Sequence, residues 1–313
     1  MRSLKDYKQI LRSYMLWPIK NLIIVKKMND LRSNPEEVTK KYYFKILNRD
    51  LRLTPPIDLN EKIQWLKLYT DTTEWTRLSD KVLVRDYIKS KGLEEILVPI
   101  YGVWDSVKLV DFASLPEKFV LKTNHGSGTV IVCRSKTDLD KTYARYLLGN
   151  WMRMKYGAFS AELHYTSIKP LIYAEMLLEN SDASISSSII DYKIFCQDGE
   201  PSCIWLCANR TAESVEVATY DLQWNFHPEW SAPSGHYKLS RRLFEKPKNF
   251  ERMLQIARIL SKDFPQVRVD LYNLDGQIYF GELTFTSAGG VMDFFTEDWL
   301  TQMGQKVSLP KNK

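Results

Sequence analysis

The sequence predicts an α+β fold. Helical and strand periodicities alternate along 313 residues without repeats or low-complexity segments, and a 44% hydrophobic content allows a large core in two domains or one multi-lobed one. Two β-hairpins stand out within that alternation. In chain order, residues 1–57 read as a basic helical extension, and a helix follows over 60–70 with Asn60 as its cap. A second helix covers 80–91, preceded by Asp80 and ended by Gly92. A strand at 97–104 leads into a hairpin at 118–133, then a helix at 138–155 with Tyr143, Tyr146 and Leu147 on one side, then a strand at 171–178. Strands at 187–196 and 201–208 are joined by Gln197, Asp198, Gly199 and Glu200. The helix at 248–262 turns Phe250, Met253, Leu254, Ala257 and Leu260 to one apolar face. Residues 181–188 and 231–235 are the clearest loops.

The C-terminal hairpin, R-V-D-L-Y-N-L-D-G-Q-I-Y-F-G-E-L-T-F-T, carries carboxylates on both arms. Asn273 to Gly276 supply the turn, and Asp270 and Glu282 fall close to opposite each other. Thr284 shares the face of Glu282, because side chains two apart in a strand point the same way. Two carboxylates and a hydroxyl suit Mg²⁺, which takes its remaining ligands from water and substrate phosphates. A solvated acidic hairpin is the structural alternative.

The earlier hairpin, F-V-L-K-T-N-H-G-S-G-T-V-I-V-C, joins two apolar runs through a small polar loop. Gly126 and Gly128 leave backbone N–H groups unobstructed for phosphate oxygens, and Lys122 adds a point charge. Neither the P-loop nor the dinucleotide glycine pattern is present.

The order of these two hairpins resembles the ATP-grasp superfamily, whose two α+β lobes hold ATP between them, and most closely its TupA-like branch from bacterial surface-polysaccharide and teichuronopeptide gene sets. The stretches D-L-N-E-K-I-Q-W-L-K-L-Y, S-D-K-V-L-V-R-D-Y-I-K-S-K-G, F-V-L-K-T-N-H-G-S-G, D-Y-K-I-F-C-Q-D-G-E-P and R-V-D-L-Y…F-G-E-L-T-F-T carry the resemblance over residues 58–308. It implies an extension at 1–57, an α/β segment at 58–115, a lobe with the phosphate hairpin at 116–178 and a lobe with the metal hairpin at 179–313.

It also implies roles. Lys122 contacts the α and β phosphates, while the backbone of Gly126, Ser127 and Gly128 covers the β and γ phosphates as a flap that excludes water on closing. Lys81 is a further phosphate contact or a solvated lysine at a helix start. Glu175 meets ribose or the adenine amine, or is a buried structural carboxylate, and the backbone of Met176 and Leu177 faces the adenine edge. Asp191 and Lys193 share a strand face, and Arg210 follows a second strand, so the three are expected to converge on the reacting centre; a surface ion pair is the alternative for the first two. Arg210 suits the γ-phosphate and an acyl-phosphate. Asp270, Glu282 and Thr284 are the expected ligands of Mg²⁺, or of Mn²⁺ in its place, although the superfamily commonly has Asn where Thr284 stands.

The expected activity is ATP-dependent carboxylate–amine ligation. The partners are ATP, a carboxylate-bearing sugar or amino acid, and an amine. A phosphotransferase with Asp191 as base, a glycosyltransferase using the D-L-D string at Asp138 to Asp140, and a silent ATP-binding scaffold are the alternatives. Composition fits a cytoplasmic protein. Cys133, Cys196, Cys203 and Cys207 form no C-x-x-C pair, which argues against zinc and a disulfide framework and favours buried thiols. No stretch reaches the roughly 18 to 20 apolar residues of a membrane span. The nearest, Y-M-L-W-P-I-K-N-L-I-I-V, is broken by Pro18 and Lys20 and lacks a cleavage site after it. The formal +6 charge concentrates near the start, in Arg2, Lys5, Lys8, Arg12, Lys20, Lys26, Lys27, Arg32, Lys40, Lys41 and Lys45. Mixed with Trp17, Leu22, Ile23 and Ile24, these bases suit an anionic membrane surface at the inner face, or equally a helix packed on the catalytic domain or binding an anionic substrate. No nucleic-acid module accompanies them.

Overall fold

Side chains alternate across the strands, so that both sheets turn apolar side chains to a core and charged ones to a shared cleft, while the central strands of the larger sheet are buried on both faces. A computed structural model describes residues 4–180, 184–232 and 234–310, with side chains from residue 19 onward. Two helices, α1 (Leu4–Ser33) and α2 (Pro35–Leu47), form the extension. They are followed by α3 (Leu59–Tyr69), α4 (Thr73–Ser79) and α5 (Val84–Ser90). Next come β1 (Ile100–Trp104), β2 (Phe119–Thr123), β3 (Val130–Cys133), α6 (Lys141–Met152), α7 (Leu163–Thr166) and β4 (Ile172–Glu175). The remainder comprises β5 (Asp191–Gln197), β6 (Glu200–Ala208), β7 (Val215–Tyr220), β8 (Tyr237–Leu239), α8 (Phe250–Ser261), β9 (Gln266–Leu274), β10 (Gln277–Thr284) and α9 (Glu297–Gln305).

The smaller sheet has the order β1-β4-β2-β3 and is antiparallel throughout. Phe119 and Leu121 of β2 and Ile172 and Ala174 of β4 pack with Ala144 and Leu148 of α6. The alternate residues Val120, Lys122, Tyr173 and Glu175 therefore face the other way, into the cleft. The larger sheet runs β10-β9-β5-β6-β7-β8, with β8 parallel to β7 and the other pairs antiparallel. Phe250, Met253, Leu254, Ala257 and Leu260 of α8 are all buried, as the apolar periodicity requires. They share a core with Tyr192, Ile194, Val267, Val269 and Leu271.

Several local expectations shift. Asp58, not Asn60, caps α3: its side chain accepts from the Glu61 N–H while Glu61 reaches back to the cap, a complete capping box. Asn60 instead ties α3 to the far end of the chain, donating to Met292 O at 3.0 Å and accepting from Met292 N–H at 2.9 Å. The span around Asp80 is two short helices, α4 and α5, because the Asp80 side chain accepts from the amides of Val82 and Leu83 and starts a new turn. Gly92 ends α5 with φ +71°. The four cysteines are buried free thiols. Of the expected loops, residues 181–183 and 233 lie outside the described residues.

Candidate active site

Between the sheets lies a cleft of about 410 Å³. Lys81, Lys122, Gly126, Ser127, Gly128, Glu175, Met176, Leu177, Asp191, Lys193, Arg210, Asp270 and Glu282 all line it. Thr284 lines an adjoining cavity of about 600 Å³, which shares Lys81, Lys193, Arg210 and Glu282 with the cleft. Residues separated by most of the chain thus converge on one space.

The charged wall rests on strand order. Because β5 pairs with β9, Lys193 stands opposite Asp270, and because β9 pairs with β10, Asp270 stands opposite Glu282. The second pairing needs a bulge. Ile278 and Phe280 join the core, and strict alternation would send Glu282 after them; the extra residue Gly281 shifts the register and turns Glu282 to the cleft. A Cβ at Gly281 would lie 3.0 Å from Asp270 O, so the bulge leaves little room for a side chain.

Charges in this wall are closely matched. Lys193 Nζ donates to Asp270 Oδ2 at 2.5 Å and pairs with Asp191 Oδ2 at 2.6 Å. Arg210 Nη2 stands 3.8 Å from the same Asp191 oxygen. Lys81 is no solvated helix-start lysine: it donates to Gly126 O at 2.8 Å and sits 3.3 Å from Glu282 Oε2, linking the glycine loop to the acidic strand. Lys193 is likewise buried and Asp191 half-buried, so they are not a surface pair.

Arg268 was not anticipated. It grips Asp270 bidentately at 2.6 Å and 2.6 Å, and donates to Glu282 Oε1 at 3.2 Å, Thr284 Oγ1 at 3.1 Å and Ser287 Oγ at 3.3 Å. Its signal was present in R-V-D, where a residue two before Asp270 must share its face.

Burial penalises each of these charges, but opposite charges outweigh it in most cases. Lys81, Lys193 and Arg268 hold the Glu282 carboxyl below the usual range despite its burial. Asp191 and Asp270 likewise raise Lys193, and Asp270 and Glu282 raise Arg268. At Asp191 burial prevails and raises the carboxyl, with Lys193 opposing it.

The donor set fits a hard dication. Asp270, Glu282 and Thr284 present oxygens together, the Thr284 hydroxyl donating to Glu282 Oε1 at 3.1 Å, and Asp191 Oδ1 is buried without a hydrogen-bond partner among the described residues. No group of three or more His, Cys, Asp or Glu that would hold a metal occurs among the described residues, so phosphate and water would have to complete the shell.

Facing this wall, Lys122 Nζ contacts a Glu175 carboxylate oxygen, so these two expected nucleotide contacts are joined to each other. The Met176 N–H donates to Pro99 O at 2.9 Å and is not available to an adenine edge, because β4 continues to pair beyond Glu175. In the glycine loop, Gly128 has φ +73°, and a Cβ at Gly126 would approach the Tyr156 ring to 3.0 Å.

The family model for TupA-like ATPgrasp matches residues 61–308. The chain belongs to the TupA-like ATP-grasp family. The match begins in α3, so α1 and α2 lie outside it. Among solved structures, this TupA-like protein is similar to the D-alanine–D-alanine ligase from Bacillus anthracis, with 15% identity, TM-score 0.41, and coverage of 82% of this chain and 72% of that one. It is also similar to the L-amino acid ligase from Bacillus licheniformis, at 12% identity and TM-score 0.38, covering 70% and 43%. The ATP-grasp ligase PsnB complexed with minimal precursor, Mg and ADP matches at 11% identity and TM-score 0.35, covering 72% and 57%. No curated protein matches the chain.

Proposed function

We propose that this ATP-grasp protein is a Mg·ATP-dependent carboxylate–amine ligase that attaches an amino acid to a bacterial surface polysaccharide or its precursor. The observation that carries the reading is the convergence of Lys122 and the glycine loop from one lobe with Lys193, Arg268, Asp270 and Glu282 from the other, beside a second cavity able to hold the reacting partners.

In this reading Lys122 and Lys81 bind the phosphates, and the Gly126–Gly128 backbone covers them. Met176 and Leu177 border the adenine, with the Met176 carbonyl in place of its amide. Asp270, Glu282 and Thr284 would hold Mg²⁺, which when bound would neutralise phosphate charge. A substrate carboxylate oxygen attacks the γ-phosphorus, the bond from that phosphorus to the bridging oxygen breaks, and ADP leaves with the electron pair. The amine nitrogen then attacks the acyl carbon, the carbon–oxygen bond to phosphate breaks, and the amine loses its proton as inorganic phosphate departs. Arg210, Arg268 and Lys193 stabilise the oxyanions of both steps, and positioning with charge neutralisation supplies most of the rate.

The D-L-D string lends no support to a sugar-nucleotide site, since Asp140 caps α6 by accepting from the Tyr143 N–H at 2.9 Å. Docking at the inner face of an anionic membrane is supported by α1. Its Ile19, Leu22 and Ile23 are 58%, 70% and 47% exposed, and Lys20, Lys26 and Lys27 lie among them. Trp17 lies outside the residues whose side chains are described. Among the described residues no helix is long and apolar enough to cross a membrane.

The test is incubation with Mg·ATP, uronic acids and amino acids, followed by mass spectrometry. ADP, phosphate and a dehydrative conjugate appearing together are expected. ADP with a phosphorylated product would replace ligation by phosphotransfer, and no turnover despite tight ATP binding would mark a scaffold.

A further inference from the structure

Two helices that precede the family match help to build the cavity of about 600 Å³ beside the cleft: Ile24 of α1 and Tyr42 of α2 line it. The placement of Ile24 follows from helical period. Ile24, Met28 and Leu31 form one stripe on α1; Met28 and Leu31 are buried, and Ile24 continues the stripe one turn further, to the cavity. The Lys27 ammonium ties the same turn to Phe159, lying 5.1 Å from the centroid of its ring.

The cavity opens beside this helix. Of its exposed lining residues, Met154, Lys155, Phe159 and Ala288 are not shared with the cleft, and Met154 and Phe159 are 39% and 56% exposed. The exposed Ile19, Leu22 and Ile23, within about 8 Å of Ile24 along the helix axis, extend this apolar rim. Lys20, Lys26, Lys27 and Lys155 lie on the same two segments. An apolar patch bordered by charge marks an interaction surface, and lysines at that border match an anionic bilayer, whose headgroups meet the bases while its hydrocarbon takes the apolar side chains. Inside, the cavity favours an anion. Lys81, Lys193, Arg210 and Arg268 line the end next to the cleft. The carboxylates in its wall are already engaged: Glu282 pairs with Lys81 and Arg268, and buried Glu162 accepts from the hydroxyls of Ser160 and Thr286.

We propose that the second cavity is entered from a membrane and takes a bilayer-embedded amphiphile with a carboxylate in its headgroup. The hydrocarbon tail stays among the lipids at Ile19, Leu22 and Ile23, the headgroup enters past Ile24 and Phe159, and the carboxylate reaches the cationic end, beside the cleft in which it attacks ATP. The proposal rests on the ligation reading for the carboxylate's fate but not for its binding. It specifies that the acid to be activated is carried by a lipid and is not a soluble sugar acid. It also gives the extension a task, since α1 joins the bilayer to the mouth of the cavity.

The experiment is photocrosslinking of the full chain on phosphatidylglycerol–phosphatidylcholine vesicles that contain dodecyl glucuronide with a diazirine in the tail next to the sugar. Dodecyl glucoside with the same diazirine is the counterpart without a carboxylate. Crosslinks to residues 154–159, mapped by mass spectrometry, are expected about tenfold more often from the glucuronide than from the glucoside. Leu22→Glu should lower both the fraction of protein that floats with the vesicles and the yield of those crosslinks about tenfold, with Mg·ATP affinity unchanged in calorimetry. Equal yields from the two lipids, or crosslinks that map away from residues 154–159, overturn the proposal. A yield undiminished in Leu22→Glu also overturns it, because the acid would then arrive from water. Crosslinking at the mouth with no dehydrative conjugate on addition of Mg·ATP and amino acids would leave the site standing and remove the ligation reading.

Discussion

The two walls of the cleft between the sheets are built on opposite principles. On the large lobe, Asp191, Lys193, Arg268, Asp270 and Glu282 sit on three adjacent strands and contact one another directly. On the small lobe, Ser127 and Gly128 form an exposed loop tip, with nothing within 4 Å of a Cβ built at Gly128. The residues on either side of that tip are tied down, Gly126 by Lys81 among them. Asn124 donates to Asp80 Oδ2 at 2.8 Å and Lys169 O at 3.0 Å and accepts from the Leu171 N–H at 2.7 Å, while Thr123 donates to Thr129 at 2.7 Å. One wall is therefore preorganised for charge, which is effective only if dipoles and ions need not reorganise, whereas the other is a loop anchored on both sides of an exposed tip.

The contrast breaks most directly at Arg268. Its removal in Arg268→Leu leaves Asp270 and Glu282 facing each other with too little positive charge, and destabilisation by about 3–5 kcal/mol is expected in urea denaturation, together with loss of turnover. Acid provides the same break without mutation. The Glu282 carboxyl is held below its ordinary 4.5, so its stabilising contribution is complete above the unfolded value and is lost as pH falls below it towards the folded one. The urea midpoint of the native chain should therefore fall below pH 4.5 more steeply than that of Glu282→Gln.

Asn124→Ala tests the base of the loop. It deprives buried Asp80 of a donor and should cost about 1–3 kcal/mol, with weaker ATP binding in calorimetry but no change in ligand-free wall geometry. The smallest effect is expected at the tip. Gly128→Ala meets open space but a positive φ, so the strain of about 1 kcal/mol falls on the loop alone, and a rise of about fivefold in KM for ATP with an unchanged Tm is the expected result. A Tm that drops as far as in Asn124→Ala would show that the tip is as rigidly held as its base.

Much of this was legible before any coordinates. The alternation of Val120, Lys122, Tyr173 and Glu175 against Phe119, Leu121, Ile172 and Ala174 is a strand property, and it alone sends the polar set to one side. The turns at Asp198-Gly199 and Asp275-Gly276 were equally local: all four residues take positive φ, which Gly adopts readily and Asp tolerates. Helix α8 followed from its apolar period. The cap of α3 is Asp58 and not Asn60; both are good caps, and only the reciprocal bond from Glu61 separates them.

Which residues are polar on which strand face, where the chain turns and, through motif order, the family are written in the amino-acid order. Tertiary structure alone decided that β5 lies beside β9, that Gly281 bulges, that Arg268 closes the acidic wall and that Lys81 reaches Glu282. The physical reason is range. Alternation and turn chemistry act over a few residues, whereas strand order and the partner of a buried charge are set by the packing of segments that the chain brings together only when it folds.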